Sequence, residues 1–483
     1  MKYKFHRYKQ KKKIFLKVSD EWMAMVEDTR PEHTYAEQTP RSKSWIEQAK
    51  KVMPGGITAN IKHFAPYPIV MKKGCGAFIT DVDNHQYVDY LLAYGALMLG
   101  HGHPEVKQAI DEMFADSGTL LFGAPHPLEV TFGHEIQQLY PSMERLRYTN
   151  SGTEATLLAM RIAQAYTNKK RIAKFEGHYH GGYNDVLYSV SPTLSEAGPA
   201  DAPIPVKESK GMHVTDGEEP LILPFNNLTA CERLLRAQQD SIAAVMIEPL
   251  QGGFIPATDT FIAGLRELTE ELGIVLIFDE VKTGFRIRLG GAQEWYGVSP
   301  DLTTLGKVIG AGFPFGIVGG RKDIMEVTSP TTGSDVFDQS QSTFSRAKDV
   351  VFHSGTYNGH PLILAAGLKT VDVLKRDIKD VFARTDMLKD ELEALFVRKG
   401  VPMKAVGIGS IFSVVLTEED IFNYRDLQAS DLQTRKLIDL HLLNEGIYTK
   451  PLNRYSLSTA HTEREVERTI SAYDRVLSRL FGG

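Results

Sequence analysis

The sequence predicts an α/β fold, in which a mostly parallel sheet covered by helices is accompanied by a smaller α+β domain built from both chain ends. Three observations predict it. The middle of the chain alternates short apolar runs with amphipathic stretches. Residues 242–279 show the pattern of a strand, a helix and a second strand. The two chain ends differ from this middle, with turns near the amino end and long helical stretches near the carboxyl end.

Residues 242–279 are the clearest evidence for the parallel sheet. Residues 242–248 form an apolar run that ends on Glu248, as expected of a strand buried on both faces. A helix should follow, with Asp259 as its N-cap and Gly273 beyond its end. A second apolar run, residues 274–278, leads to Asp279. Both strands therefore end on an acid at the edge where open α/β sheets bind ligands.

The predicted organisation has four parts. They are a basic arm at 1–40, the first part of the small domain at 41–95, a large ligand-binding domain at 96–355 and the second part of the small domain at 356–483. Turns are expected at residues 54–56 and 81–84, helices from about residue 362, and short strands between residues 403 and 416. The polar segment 328–348 is expected to be a surface loop.

Composition and charge are those of an ordinary globular protein. Hydrophobic residues make up 42% of the 483 residues, charged residues 24%, and the formal net charge is -5. This charge gives no reason to expect nucleic acid or a membrane as a partner. No apolar run reaches the roughly 18 residues of a spanning helix. The separated cysteines, Cys75 and Cys231, favour free thiols in a reducing, cytoplasmic compartment, with one disulfide still open.

The first 17 residues carry eight Lys or Arg and no acid. Only a short apolar run, residues 14–16, follows the basic part, whereas a secretory signal needs a longer apolar stretch there. Transit peptides are usually rich in Arg and Ser, and this segment is rich in Lys. We therefore expect a flexible basic arm, with a transit peptide as the alternative.

A hydroxyl-rich turn, TNSGTE at residues 149–154, precedes a predicted amphipathic helix. Ser151, Gly152 and Thr153 would lie where backbone N–H groups and the positive end of the helix dipole attract anions. A plain N-cap is the simpler interpretation and is favoured when the motif is taken alone.

Two histidines, His178 and His180, lie close together in FEGHYHGG at residues 175–182. Their spacing suggests a metal site, but no third ligand with zinc-like spacing accompanies them, so we expect no metal. An aromatic ring that stacks on a flat cofactor is a better use of this segment.

Asp279 and Lys307 each follow a predicted buried run. A carboxylate at the position of Asp279 is costly unless a cation pairs with it, and a protonated pyridine nitrogen would serve. A helix cap or a structural ion pair is an equal alternative for Asp279. Lys307 has apolar neighbours in Leu305 and Val308, so its ammonium should be partly desolvated. Desolvation lowers the pKa of a lysine and makes its amine a nucleophile toward carbonyls.

Three strings together, NSGTEA at 150–155, FDEVKTG at 278–284 and PDLTTLGK at 300–307, make the sequence resemble the class III, fold-type I aminotransferases. It looks most like the branch of glutamate-1-semialdehyde aminomutases and β-amino-acid transaminases. The resemblance covers roughly residues 45–475. It implies pyridoxal phosphate as cofactor, an amino acid (a β-amino acid among the candidates) and a keto acid as substrates, and a homodimer with active sites at its interface.

The resemblance also implies how the cofactor is held. Ser151, Gly152 and Thr153 would bind its phosphate. Tyr179 would stack on one face of its ring, and Val281 would pack on the other.

The same resemblance implies the catalytic residues. Asp279 would pair with the ring nitrogen and keep it protonated, so that the ring accepts electrons when the substrate Cα–H bond breaks. Lys307 would hold the cofactor as a Schiff base and later carry a proton. Thr356 would reach the phosphate bound in the neighbouring subunit.

The substrate side departs from the aminomutase pattern. Lys62 stands where those enzymes have an arginine for the substrate carboxylate, and lysine lacks the two-pronged fork of arginine. Lys282 replaces an uncharged residue. Tyr94 and Arg454 are weaker candidates for substrate contact, because structural roles suit them equally well. These departures favour a transaminase, with an aminomutase or an amino-acid epimerase as the alternative. The alternatives from other functional classes are a catalytically inactive relative that serves as a binding or scaffold protein and a metal hydrolase built on His178 and His180.

Overall fold

The computed structural model describes residues 31–213, 215, 217–330 and 350–482. Most of the predicted basic arm and most of the predicted loop at 328–348 lie outside these residues. Within the predicted arm, Pro31–Gln38 is helical and buries Tyr35, whose exposure is 2%. The predicted domain boundaries stay predictions. Both cysteines are free.

A seven-stranded sheet forms the centre of the molecule, and it confirms the predicted α/β class. In spatial order its strands are β4 (Arg145–Thr149), β12 (Gly316–Gly320), β11 (Leu302–Gly306), β10 (Val275–Asp279), β7 (Ile242–Ile247), β5 (Arg171–Phe175) and β6 (Leu221–Leu223). Strand β12 runs antiparallel to both of its neighbours, and the other pairs are parallel.

Helices cover both faces of this sheet. In chain order, the helices between residues 92 and 325 are α3 (Leu92–Gly95), α4 (Pro104–Ser117), α5 (Pro127–Leu139), α6 (Gly152–Thr167), α7 (Leu228–Gln238), α8 (Asp259–Glu271), α9 (Gly291–Tyr296) and α10 (Lys322–Met325). The side chains of β7 belong to two different hydrophobic clusters. Val245 and Ile247 pack in a cluster with residues of α8, whereas Met246 packs in a second cluster with residues of α6. Because successive side chains of a strand point to opposite faces, a strand covered on both sides is apolar throughout.

The predicted strand–helix–strand unit is present as β7, α8 and β10. Strands β7 and β10 are parallel neighbours, with Phe278 opposite Ile247. The N-cap of α8 is Thr258 rather than the expected Asp259, since Thr258 has extended backbone and its hydroxyl accepts the Phe261 N–H at 3.3 Å. Asp259 is instead the first helical residue, where a carboxylate interacts favourably with the helix dipole.

The smaller α+β portion joins the two ends of the chain. Its N-terminal elements are α1 (Pro31–Gln38), α2 (Pro40–Ala49), β1 (Met71–Cys75), β2 (Phe78–Asp81) and β3 (Gln86–Asp89), and short 3₁₀ helices span Pro54–Gly56 and Asn60–Lys62. Its C-terminal elements are α11 (Pro361–Arg398), β13 (Lys404–Ile408), β14 (Ile411–Val415), α12 (Tyr424–Gln428), α13 (Leu432–Asn444), β15 (Ile447–Tyr448), β16 (Tyr455–Ser456) and α14 (Glu463–Phe481). Strand β15 pairs in parallel with β3, so one sheet contains strands from both ends.

The remaining short elements connect this framework. A two-stranded hairpin of β8 (Leu250–Gln251) and β9 (Ile255–Pro256) follows β7, and 3₁₀ helices span Lys307–Gly310 and Glu326–Thr328. Among the helices of the described ranges, none combines the length and the apolar character that a membrane crossing requires.

Candidate active site

The carboxyl ends of three neighbouring parallel strands bring the candidate catalytic residues together. Glu248 follows β7, Asp279 is the last residue of β10, and Lys307 follows β11. In the register of β10 and β11, Asp279 lies opposite Thr304, three residues before Lys307. The parallel pairing therefore places a buried acid and a lysine at the same edge of the sheet, as the sequence predicts for a ligand site.

Asp279 is a buried carboxylate that keeps its charge. Its exposure is 4%, and it accepts hydrogen bonds from the Val281 N–H at 3.1 Å and the Thr304 hydroxyl at 3.2 Å. His180 Nδ1 lies 2.8 Å from its other oxygen. Burial raises the pKa of Asp279, but the hydrogen bond and charge of His180, the charge of Lys282 and the hydrogen bond from Val281 together outweigh burial, and the net pKa lies below the usual value. An ionised acid at this position can hold a proton on a ring nitrogen.

Lys307 is a lysine whose amine can be neutral near physiological pH. Burial, followed by the positive charges of Lys282 and Arg454, lowers its pKa to about 7. Its backbone is left-handed, with φ at +52°. This conformation costs a non-glycine residue about 1–2 kcal/mol, and such strain often occurs at functional sites. A neutral amine at the end of a strand is a competent nucleophile toward a carbonyl.

The start of α6 forms a tight cradle beside Lys307. The Ser151 hydroxyl caps the helix by accepting the Glu154 N–H at 3.1 Å. A side chain at Gly152 would lie 2.6 Å from Val281 Cγ1, so only glycine fits between this turn and Val281. Gly306 approaches the same place, because a Cβ there would lie 3.5 Å from the Gly152 Cα. Backbone N–H groups at the start of a helix are suited to bind a phosphate.

One cavity gathers most of the predicted cofactor residues. It is lined by Gly152, Thr153, Tyr179, Asp279, Val281 and Lys307, among others. The Tyr179 ring is 43% exposed, which leaves it open to a flat ligand. A phosphate cradle, an ionised acid, a nucleophilic amine and two apolar faces are what pyridoxal phosphate requires, so the residues present fit this cofactor.

Thr356 is exposed and lies outside that cavity within the chain. Its segment is nevertheless anchored beside the α6 cradle, because Asn150 Nδ2 donates to Asn358 Oδ1 at 3.0 Å. Asn358 also lies 3.2 Å from His353 Nε2. Thr356 is therefore an exposed residue two positions before Asn358, which contacts the residue preceding the Ser151 cap.

The three substrate candidates differ in their surroundings. Lys62 ends an exposed 3₁₀ helix, and the Tyr94 hydroxyl donates to the Ile61 carbonyl of that helix at 2.7 Å; neither residue lines the cavity that contains Lys307. Arg454 Nη2 donates to the Tyr94 carbonyl at 3.1 Å. Arg454 Nε is buried, and it makes no hydrogen bond with any part of the chain that the structure describes.

Arg454 therefore has donor capacity to spare beside the site. Gly253 lies next to it, and a Cβ there would be 3.1 Å from Arg454 Nε. Among residues 31–330 and 350–482 that are described, no carboxylate forms an ion pair with this guanidinium. Burial lowers the pKa of Arg454, against the opposing charge of Glu248. A buried cation of this kind would be stabilised by a ligand carboxylate.

Sequence reasoning missed the role of His180. In the sequence, the spacing of His178 and His180 suggests only metal ligands, and no metal is expected. In the structure, the Nδ1 atom of each ring contacts another residue of the protein. His178 Nδ1 accepts the Glu248 N–H at 3.0 Å, and His180 supports Asp279. The position of His180 directly after Tyr179 was a usable signal, but its contact with Asp279 joins residues 99 positions apart.

The comparisons with known proteins agree with this geometry. Residues 60–461 match the model of the family described as aminotransferase class-III. The chain is 36% identical over 454 residues to a glutamate-1-semialdehyde 2,1-aminomutase of Thermodesulfovibrio yellowstonii, covering 92% of this chain and 100% of that protein. A protein of the same name from Ignicoccus hospitalis is 37% identical over 90% of this chain and 99% of its own length.

Solved structures of transaminases have the same fold. An omega-transaminase from Sphaerobacter thermophilus aligns with a TM-score of 0.84 and 33% identity, covering 91% of this chain and 97% of that one. A beta-phenylalanine aminotransferase from Variovorax paradoxus aligns with a TM-score of 0.79 and 30% identity, covering 94% and 96%. The similarity thus extends over nearly the whole described chain.

Proposed function

The chain belongs to the aminotransferase class-III family and uses pyridoxal phosphate, and on this premise we propose that it transfers an amino group from an amino acid to a separate keto acid. The observation that supports this most is the combination of ionised Asp279 and nucleophilic Lys307 at one sheet edge, with the Arg454 cation near enough to lower the pKa of Lys307 and with its Nε unpaired in the described chain. The first two serve the shared chemistry of the family. The third offers a binding site for the carboxylate of a substrate.

Each residue of the site has a distinct task in this proposal. Pyridoxal phosphate, when bound, supplies an electron-withdrawing ring that makes the substrate Cα–H bond breakable. Asp279 holds a proton on the ring nitrogen through its negative charge. Lys307 would hold the carbonyl end of the cofactor, and its amine, with a pKa of about 7, would be suited to take up a proton from the substrate Cα once it is free.

The remaining cofactor residues hold and orient the ring. Ser151, Gly152 and Thr153 bind the phosphate through backbone N–H groups and hydroxyls at the start of α6. Tyr179 and Val281 pack on the two faces of the ring and exclude water from it.

We assign the substrate carboxylate to Arg454 in the first place and to Lys62 in the second. Arg454 is half-buried and its buried Nε is an unused donor within the described chain, whereas Lys62 is exposed, in a segment bonded to Tyr94. Arginine also binds a carboxylate through two parallel hydrogen bonds, which fix its orientation better than a lysine does.

A glutamate-1-semialdehyde aminomutase is the second candidate function. It is favoured by relatives of that name, which match this chain over 98–100% of their own length at 35–37% identity. Against it stands Lys62, in place of the arginine that the resemblance associates with those enzymes. An epimerase would share the same cofactor residues and differ in returning the proton to the other face.

We also propose that the protein is a homodimer, in which Thr356 reaches the phosphate bound by the neighbouring subunit. Its exposed position beside the cradle supports this. A cytoplasmic location stays a prediction.

The test begins with the purified holoenzyme. Reduction with borohydride followed by peptide mapping should place the cofactor on Lys307, and a label on another lysine would refute that assignment. The holoenzyme should then be incubated with a panel of α-, β- and ω-amino acids, with and without a keto acid. Turnover should require the keto acid. Efficient conversion of glutamate-1-semialdehyde to 5-aminolevulinate without any acceptor would instead establish the aminomutase.

A further inference from the structure

Lys282 is a charged residue of the cavity to which the proposed chemistry gives no task. Its ammonium forms an ion pair with Glu248, and the two side chains are 13% and 1% exposed. Glu248 is fixed in turn, because its Oε2 accepts the Gly252 N–H at 2.9 Å. A backbone-held carboxylate therefore keeps the Lys282 ammonium in one place, which a flexible lysine stem alone would not do.

The same ammonium lies against the ring of Tyr179. It is 5.6 Å from the ring centroid, within the range of a cation–π contact. Since Tyr179 is 43% exposed, this contact restrains a ring that has solvent on much of its surface. Lys282, Tyr179 and Lys307 line one cavity. The Lys282–Glu248 ion pair is thus placed to affect both the position of the Tyr179 ring and the charge of the Lys307 amine.

The charges around Lys307 are mixed in sign. Lys282 and Arg454 favour its neutral amine, whereas Asp279 and Glu248 favour its ammonium. After burial itself, the charge of Lys282 lowers the pKa of Lys307 most.

Lys282 in turn faces a small set of ionisable groups. Glu248 and Asp279 are the acids that interact with it, and buried Lys174 and His178 are its basic neighbours. Lys174 is itself held by backbone carbonyls, donating to His178 O at 2.9 Å. The Lys282–Glu248 ion pair therefore brings both signs of charge beside Tyr179.

We propose that Lys282, held by Glu248, is a positioning residue that fixes the Tyr179 ring and keeps a positive charge beside Lys307. The inference rests on the proposed attachment of the cofactor to Lys307. It makes an electrostatic prediction that a merely structural ion pair does not make. Removing the lysine and removing the glutamate should act on Lys307 in opposite directions, although both changes break the same contact.

The experiment is a pH titration of the visible absorbance of the bound cofactor in the holoenzyme, for Lys282→Met, Glu248→Gln and the double variant. Loss of a positive charge favours protonation at the Lys307 nitrogen, so the midpoint should rise by about one pH unit in Lys282→Met. Loss of a negative charge should lower it in Glu248→Gln by a similar amount. The double variant should return close to the unmodified protein, and Lys282→Arg should keep the original midpoint.

A second readout reports on the ring. The visible circular dichroism of the bound cofactor should weaken in Lys282→Met and recover in Lys282→Arg, since only the latter keeps a cation over Tyr179. If Glu248→Gln alone does not fold, the double variant compared with Lys282→Met measures the effect of Glu248 in its place.

Midpoints that stay within about 0.2 pH unit of the unmodified protein, or that shift in the same direction in both single variants, would overturn the inference. Failure of the proposed function looks different. In that case the borohydride label is absent from Lys307, whereas failure of this inference leaves the label on Lys307 with its titration unmoved.

Discussion

Replacing Arg454 with methionine should weaken the binding of carboxylate-bearing substrates while sparing the fold. Methionine keeps an unbranched side chain of similar length and removes the guanidinium. Arg454 Nε has no hydrogen-bond partner in the described chain, and Nη2 uses one donor on the Tyr94 carbonyl at 3.1 Å. The free donor at Nε is therefore what a substrate carboxylate would gain.

The expected increase in KM follows from the loss of this one free hydrogen-bond donor. A hydrogen bond to a charged group contributes about 1.5–3 kcal/mol. Since about 1.4 kcal/mol corresponds to a factor of ten, KM for the amino acid should rise about 10- to 150-fold. The thermal midpoint should change little, because the variant loses the bond to Tyr94 but also loses the cost of burying an unpaired charge.

The assay compares two donors and two variants. Steady-state KM is measured for an amino acid and for the corresponding amine without its carboxylate, using one keto acid acceptor throughout. Only the amino acid should respond to Arg454→Met. The matched control is Lys62→Met, which removes a cation from the exposed 3₁₀ helix and should change KM by less than about threefold.

Two results would refute the reasoning. An Arg454→Met variant with an unchanged KM for the amino acid would show that this guanidinium does not bind the substrate. A large increase in Lys62→Met, with little change in Arg454→Met, would assign the carboxylate to Lys62 instead.

Three further predictions concern Asp279 and Gly152, which line the candidate cofactor cavity, and the buried Glu280 that follows Asp279. Asp279→Asn should still bind the cofactor, but its kcat should be lower by about 100-fold or more, because the negative charge of Asp279 acts mainly in the transition state. Near-normal turnover would exclude a role of Asp279 at the ring nitrogen. Gly152→Ala should weaken cofactor binding, measured by equilibrium dialysis, and lower the thermal midpoint, because its Cβ would lie 2.6 Å from Val281 Cγ1. Adding Val281→Ala should relieve this clash and recover part of the lost thermal stability. Burial raises the pKa of Glu280 from 4.5 to about 7, so its contribution to stability is fully present below pH 4.5 and is lost as pH rises through about 7. The thermal midpoint of Glu280→Gln should therefore fall less than that of the unmodified protein between pH 5 and 8, and parallel curves would contradict this.

Much of the fold could be predicted because burial leaves a local pattern. The run at β7 is apolar at every position since both faces of the sheet are covered, and α8 repeats its apolar residues at helical spacing. Its N-cap was misplaced by one residue, from Thr258 to Asp259, because both residue types cap helices and only the backbone conformation distinguishes them. Boundaries of this kind depend on φ and ψ, which the residue types leave open.

The strand ends of the candidate site were also readable from the sequence. Asp279 and Lys307 each follow an apolar run, and parallel strands carry their carboxyl ends to one edge, so their proximity follows from the fold class. The turn at 151–153 is equally local, since a hydroxyl cap followed by a glycine marks a helix start, whereas its role in binding phosphate is implied only by the resemblance.

What the sequence by itself determined, therefore, is the cofactor chemistry, because each of its parts is a short string at the end of one element. Only the tertiary structure determined which groups contact the catalytic and binding residues and shift their pKa values. His180 reaches Asp279 across 99 positions, Lys282 finds Glu248 across 34, and Arg454 approaches Tyr94 across 360. These contacts depend on strand order and on how the chain ends close over the sheet. Charge and hydrogen bonding become strong only where that closure removes water, so the partners of a buried group cannot be inferred from its neighbours in sequence.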